Sequence, residues 1–288
     1  MLRVCSRWGL VFGAVISLSA RPAFATPIGS VFVSGHDSDF HAQSGNTLGA
    51  QHIIQDALTF VRNGNTLPIL FIQSNTNNLG LGDHLNSELG LIASGYSAGN
   101  TPGNHYVKVN SAQFLALSLL DLETNYSAIF VPSDHGGTLT EADLAALDLR
   151  SPDILAYVNN GGGLFALAED GLHSGCPCTA QRFGFLPFLT TSNPLSEFEN
   201  GNTLTAFGAG LGLTTFDING NFSHNVFTST GGMEVVDRDG GGEILSLAYR
   251  GQIGNGGVVG AVPEPASMLL LGTGLAGLAA RVRRSRKS

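Results

Sequence analysis

The sequence predicts an α/β domain with a doubly wound, mostly parallel sheet. Apolar strands without polar alternation, such as residues 128–132 and 164–168, are typical of a parallel sheet that is covered on both faces. Amphipathic stretches alternate with these strands, and the clearest of them, residues 47–61, repeats apolar residues on one helical face. Alternation of this kind indicates the α/β class. The glycine-rich last third adds a predicted hairpin, residues 233–236 with 243–249, which we expect at a sheet edge.

The other elements follow from the same signals in chain order. The helix over residues 47–61 is capped by Asn46 and stopped by Gly64. Proline in the first turn of residues 152–159 favours a helix there. Further strands are predicted at 28–34, 68–73 and 105–109, and further helices at 83–94, at 111–120 and from 140 onward.

The first 25 residues have the features of a secretory signal peptide. Arg3 and Arg7 precede an uncharged apolar run over residues 8–20, and small residues at positions 23 and 25 suit signal peptidase. Cleavage is expected between Ala25 and Thr26. The chain is therefore expected to be exported, with signal peptidase as its first partner.

The last 26 residues carry three features in order: Pro263-Glu264-Pro265, an apolar run over residues 266–280, and a basic cluster over residues 281–287. The run is shorter than the roughly 20 residues that span a bilayer comfortably, and its basic end is expected to stay cytoplasmic. This tail resembles the PEP-CTERM sorting signal, which exosortases recognise in Gram-negative bacteria that make exopolysaccharide.

The resemblance implies a single short transmembrane helix at 266–280 that anchors the chain briefly in the inner membrane. An exosortase then releases the protein to the cell surface or the medium, where an exopolysaccharide matrix is an expected partner. A tail anchor that is never cut is the alternative. Such tails are also described as the C-terminal part of ice-binding proteins, but no other segment resembles an ice-binding surface.

Charge excludes nucleic acid as a partner of the mature chain. Residues 26–262 keep six basic against 21 acidic residues, a formal charge of −15. Such a surface repels phosphate backbones. We expect four parts: the signal peptide 1–25, the α/β domain 26–250, a glycine-rich linker 251–262 and the sorting tail 263–288.

Two cysteines, Cys176 and Cys178, remain in the mature chain, and one proline separates them. In an oxidising compartment they are expected to form a local disulfide that pins a loop. His173 lies three residues earlier, so a metal site is the alternative, but no second pair of ligands completes a zinc framework. No cofactor is predicted.

Three segments resemble the class I glutamine amidotransferase-like fold, and the ThuA-like branch most of all. They are Val31 to His36, Ile129 to Ser133 and Val158 to Leu164 with its three glycines. His224-Asn225 also resembles a His-Pro stretch late in such domains, with asparagine in place of proline. The resemblance implies a flavodoxin-like sheet.

The resemblance also implies a cysteine nucleophile at the turn after residues 161–164, where this chain has Ala168. Because a methyl group cannot attack a carbonyl, the family's thiol chemistry is expected to be lost.

Polar side chains follow three of the predicted strands. They are His36, Asp37, Asp134, His135, Glu169 and Asp170. In open α/β sheets, ligand sites lie at the carboxyl ends of the strands, so these residues are expected to cluster at one edge. His36, Asp39 and His41 are candidate metal ligands.

These side chains are open to three interpretations. The preferred one is a non-catalytic surface or matrix protein in which they cap loops. A metal-dependent or His/Asp hydrolase is the first alternative, and a small-molecule binding module is the second.

Overall fold

Strands and helices alternate along the first half of the domain, as the α/β prediction requires. The computed structural model describes residues 28–74, 87–134, 138–168, 183–186, 192–198, 200–254 and 257–258, which all belong to the unit Thr26–Val262. The strands are β1 (Gly29–Ser34), β2 (Ile69–Ile72), β3 (Ser97–Ala98), β4 (His105–Val109), β5 (Ala128–Val131), β6 (Gly163–Ala166), β7 (Ser192–Phe198), β8 (Thr203–Leu204), β9 (Phe222–Phe227), β10 (Glu234–Arg238), β11 (Ile244–Gly251), β12 (Ile253–Gly254) and β13 (Gly257–Val258). The helices are α1 (Ser38–His41), α2 (Thr47–Arg62), α3 (Ser87–Ala93), α4 (Ser111–Ala116), α5 (Leu119–Asn125), α6 (Glu141–Leu149), α7 (Ser151–Asn159) and α8 (Ala206–Gly210).

Six neighbouring strands of the main sheet are parallel, which confirms the predicted mostly parallel sheet. Within the described residues the order is β3-β4-β2-β5-β6-β1-β11-β10-β8, and β9 pairs with β11 and with β7. The strands from β3 to β1 pair in parallel, and those beyond β1 pair antiparallel.

The strand order differs from the expected flavodoxin-like order, 2-1-3-4-5. When the five longer parallel strands are numbered along the chain, their order in the sheet is 3-2-4-5-1. The first strand therefore occupies the position that the fifth strand has in a flavodoxin-like sheet. The antiparallel strand β11 pairs along the full length of β1 and covers its other side.

Both faces of the sheet are covered by helices. Helices α4 to α7 pack their apolar residues on one face, and α2, α3 and α8 pack on the other. Stacked rings of Phe71, Phe130 and Phe165 run across neighbouring strands in the second core. Strands between two cores read as continuous apolar runs, which explains their lack of alternation.

The helix predicted over residues 111–120 is two helices. The first helix ends at Ala116. Ser118 caps α5, because its hydroxyl accepts from the Asp121 N–H while the Asp121 carboxylate accepts from the Ser118 N–H. This reciprocal pair is a capping box, which starts a new helix.

The predicted C-terminal hairpin is present as β10 and β11, but it does not form the sheet edge. Strand β11 lies between β1 and β10, and the two-residue strand β8 follows β10. The reason is that β1 is buried along its whole length and needs a partner on both sides.

The predicted linker over residues 251–262 begins as structure rather than as a flexible segment. Strands β12 and β13 pair within it, and the Ile253 N–H donates to the Asn159 side chain at 2.8 Å. The predicted transmembrane helix 266–280 lies outside the described residues. Among the residues that the structure does describe, no helix has the length and apolar character to cross a membrane.

Candidate functional site

The three strands that precede the candidate residues, β1, β5 and β6, are parallel neighbours. His36, Asp37 and Asp134 therefore follow strands at the same edge of the sheet, as predicted. The other candidates, His135, Glu169 and Asp170, lie outside the described residues, as do His173, Cys176 and Cys178. Ala168 is described, and it is fully buried in the core on the α4–α7 face.

Strand β9 crosses the end of β1 and brings a second set of polar residues to this edge. The His224 N–H donates to the Gly35 carbonyl at 2.9 Å, and His36 forms a bridge with Ser223. A side chain at Gly35 would place its Cβ 1.9 Å from the Asn225 carbonyl oxygen. Glycine at position 35 is therefore required by the close approach of two backbones.

His36 pairs with a residue that sequence analysis did not select. Its Nε2 lies 2.7 Å from Oδ2 of Asp237, and the two side chains are 5% and 0% exposed. Since an ionised carboxylate only accepts, Nε2 is the donor. The pair joins the end of β1 to the hairpin strand β10.

Asp37 lies between two imidazoles. Its Oδ1 is 3.1 Å from Nε2 of His41, and its Oδ2 is 3.4 Å from Nε2 of His224. Burial alone would raise the pKa of Asp37, but the two imidazoles outweigh it and lower the pKa below its ordinary value.

His41 faces acceptors on both sides of its ring. Its Nδ1 lies 2.9 Å from the Ser44 carbonyl oxygen and its Nε2 faces Asp37. A ring with two acceptor neighbours favours the doubly protonated form. Burial would lower the pKa of His41, but the bond and charge of Asp37 prevail and raise it.

Asp39 connects the segment after β1 to the segment after β5. Its Oδ1 accepts from the Ser133 hydroxyl at 2.6 Å, and its Oδ2 accepts from the Ser133 N–H at 3.1 Å. Burial raises the pKa of Asp39 despite these bonds, and the neighbouring charge of Asp37 adds to the rise. The segment that carries Asp134 is thereby fixed next to helix α1.

We call these residues the strand-end cluster: His36, Asp37, Asp39, His41, His224 and Asp237. Each is at most 7% exposed. The three candidate metal ligands, His36, Asp39 and His41, have different partners here: Asp237, Ser133 and Asp37. In the described ranges, no group of three or more His, Cys, Asp or Glu side chains is arranged to hold a metal ion.

Asp237 and the role of His224 do not follow from the sequence pattern. The pattern predicts a hairpin turn that begins at Asp237, but Asp237 lies in β10 at a register shift opposite β11. No local pattern marks a carboxylate whose partner lies 201 residues away.

The tail has a match among known protein families. Residues 261–284 match the PEP-CTERM protein-sorting motif. The match supports the prediction of an exported protein that is sorted by an exosortase. The searches of curated proteins and of solved structures each return no match. The amidotransferase-like resemblance of the central domain therefore has no support from a relative or a structural neighbour.

Proposed function

We propose that this protein is an exported component of the cell surface or the extracellular matrix, released from the membrane by an exosortase. The PEP-CTERM match at residues 261–284 is the observation that carries the proposal. Signal peptidase removes residues 1–25, and the Pro263-Glu264-Pro265 motif directs the later cut. An exopolysaccharide matrix is the expected surrounding of the released domain.

We propose further that the α/β domain is a scaffold without catalysis at its strand ends. Two observations support this. The polar groups of the strand-end cluster are buried and face one another, so they hold loops in place rather than face a substrate. The position that the resemblance assigns to a nucleophile is Ala168, which has no reactive atom.

The sorting proposal is tested by replacing Pro263-Glu264-Pro265 with alanines in the full chain. We expect the variant to remain in the membrane fraction, and a chain that ends at residue 262 to be soluble in the periplasm. A control with Val259→Ala and Gly260→Ala alters the preceding segment and keeps the motif, so it should be released like the parent. Equal release of the triple-alanine variant would contradict the proposal.

The scaffold proposal is tested by metal analysis of the purified protein. The hydrolase alternative in its metal-dependent form requires a stoichiometric transition metal, and the scaffold requires none. A stoichiometric metal that stays bound after dialysis against a chelator would favour the enzyme.

A further inference from the structure

A cavity lies on the α2 face, at the end of β1 opposite to the strand-end cluster. Its volume is about 690 Å³, which falls in the range of roughly 300–1,000 Å³ typical of ligand sites. Helix α2, helix α8 and the β10–β11 hairpin border it. We call it the α2–α8 cavity. Its lining residues all belong to the described part of the chain.

Arg250 supplies the positive charge of this cavity. Its Nε donates to the Ser30 hydroxyl at 3.0 Å, its Nη2 donates to the Phe60 carbonyl at 2.7 Å, and its guanidinium lies 4.4 Å from the Phe60 ring centre. These contacts hold the guanidinium in one orientation. Among the described residues, no carboxylate forms an ion pair with Arg250.

Glu234 lies on the neighbouring strand on the same side of the sheet. It is paired with Ala248 in the register of β10 and β11, two residues from Arg250. Diagonal neighbours at this spacing are within reach of long side chains. These two opposite charges nevertheless do not pair, because the contacts with Ser30 and Phe60 hold Arg250 towards α2. The space between Arg250 and Glu234 therefore has a positive charge on one side and a negative charge on the other.

Asp56 adds a second carboxylate from helix α2. Burial raises the pKa of Asp56, the charge of Asp217 raises it further, and His52 lowers it. Gly212, with φ of 109°, keeps the space beside this carboxylate open, because a Cβ there would lie 3.0 Å from Asp56 Oδ2. Only glycine adopts this backbone conformation without strain.

The remaining wall is apolar. Phe60 and Phe207 meet edge to face with their ring centres 6.3 Å apart, and Leu211 lies one turn beyond Phe207. An apolar group of a ligand can pack there while its charged groups face the hairpin.

We propose that the α2–α8 cavity binds a zwitterionic ligand of the amino-acid class, from an apolar α-amino acid to a dipeptide. The ligand carboxylate binds Arg250, its ammonium group binds Glu234 and Asp56, and its side chain packs on Phe207 and Leu211. Charge argues against a purely anionic ligand, since the cavity has two carboxylates for one guanidinium and the mature chain carries −15.

Calorimetric titration of the full-length protein in mild detergent tests the proposal with L-leucine and L-leucyl-L-leucine as probes. N-acetyl-L-leucine lacks the ammonium group and L-leucinamide lacks the carboxylate, so each should bind at least about tenfold more weakly than leucine. D-galactose, a neutral hydroxylated ligand, should not bind.

Glu234→Gln should weaken the binding of the better probe at least about tenfold, and so should Arg250→Met. Glu243→Gln is the matched control, since Glu243 is exposed in the same hairpin but does not line the cavity. Because Arg250 also holds Ser30 and Phe60, the exposed Glu234 gives the decisive variant if Arg250→Met does not fold. Absence of binding of both probes, equal binding of N-acetyl-leucine, or an unchanged affinity in Glu234→Gln would overturn the proposal.

Discussion

The imidazole of His36 lies 2.7 Å from the carboxylate of Asp237, although 201 residues separate them in the chain. Both side chains are buried. The pair connects the loop that follows β1 to the β10–β11 hairpin. This relationship explains why a histidine directly after β1 belongs to the fold rather than to an exposed site.

Breaking this pair should destabilise the protein strongly. His36→Phe or Asp237→Leu leaves the other buried polar group without its partner, so each should lower the free energy of unfolding by about 3 kcal/mol or more. Urea unfolding measures the loss, and the double variant should cost less than the sum of the two. His105→Phe, at a half-buried position outside the cluster, is the control. Additive losses would show that the two side chains do not interact.

The Asp37–His41 contact should make stability depend on pH. The folded pKa of His41 is raised, so its contribution is complete below the ordinary imidazole pKa, about 6.5, and is lost as pH rises through the folded value. The folded pKa of Asp37 is lowered, so its contribution is complete above about 3.9 and is lost as pH falls through the folded value.

Unfolding free energies between pH 4 and pH 9 test this dependence. The wild type should lose stability above pH 6.5, and His41→Gln should flatten that loss. His224 and His36 also face this site and are unchanged in the variant, so the difference between the two slopes is assigned to His41. An identical slope in both proteins would contradict the assignment to His41.

Gly35→Ala should be among the most damaging single substitutions. The new Cβ would lie 1.9 Å from the Asn225 carbonyl oxygen, so one of two buried backbones must move. We expect a loss of about 3 kcal/mol or more, or roughly 6 to 12 °C in the melting temperature of a domain of this size. Gly210→Ala is the control, because its Cβ would meet nothing within 4 Å. A melting temperature within two degrees of the control would contradict the packing argument.

Ser133→Ala should raise the pKa of Asp39 further. The Ser133 hydroxyl donates to Asp39 at 2.6 Å, and this hydrogen bond favours the ionised carboxylate. Burial raises the pKa of Asp39, and without the hydrogen bond less remains to counter that rise. Carboxyl ¹³C chemical shifts during a pH titration measure the change, and we expect a stability loss of about 1.5–3 kcal/mol. Ser97→Ala, on an exposed strand, should change neither quantity. An unchanged Asp39 titration in Ser133→Ala would contradict this role.

Sequence patterns predicted the parallel half of the sheet because its strands are apolar runs between recognisable helices. Strand β5 and helix α2 lie within a residue or two of their predicted bounds. The break before α5 was also predictable in principle, since Ser118 and Asp121 form a capping box that apolar periodicity conceals.

Other features had no local signal. Strand β9 mixes polar and apolar residues, and its place over the end of β1 depends on contacts with Gly35 and His36. The α2–α8 cavity likewise forms where a helix and a hairpin meet. No local motif indicates that distant residues such as Asp56 and Arg250 line the same cavity. Long-range pairing, rather than local propensity, decides these features.

The intact mass of the protein recovered from the medium or the cell surface tests the central claim most directly. We expect a chain that begins at Thr26 and has lost the apolar run 266–280 together with the basic cluster after it. Both processing events are visible in one spectrum. A recovered chain that still carries residues 266–288 would contradict release by an exosortase.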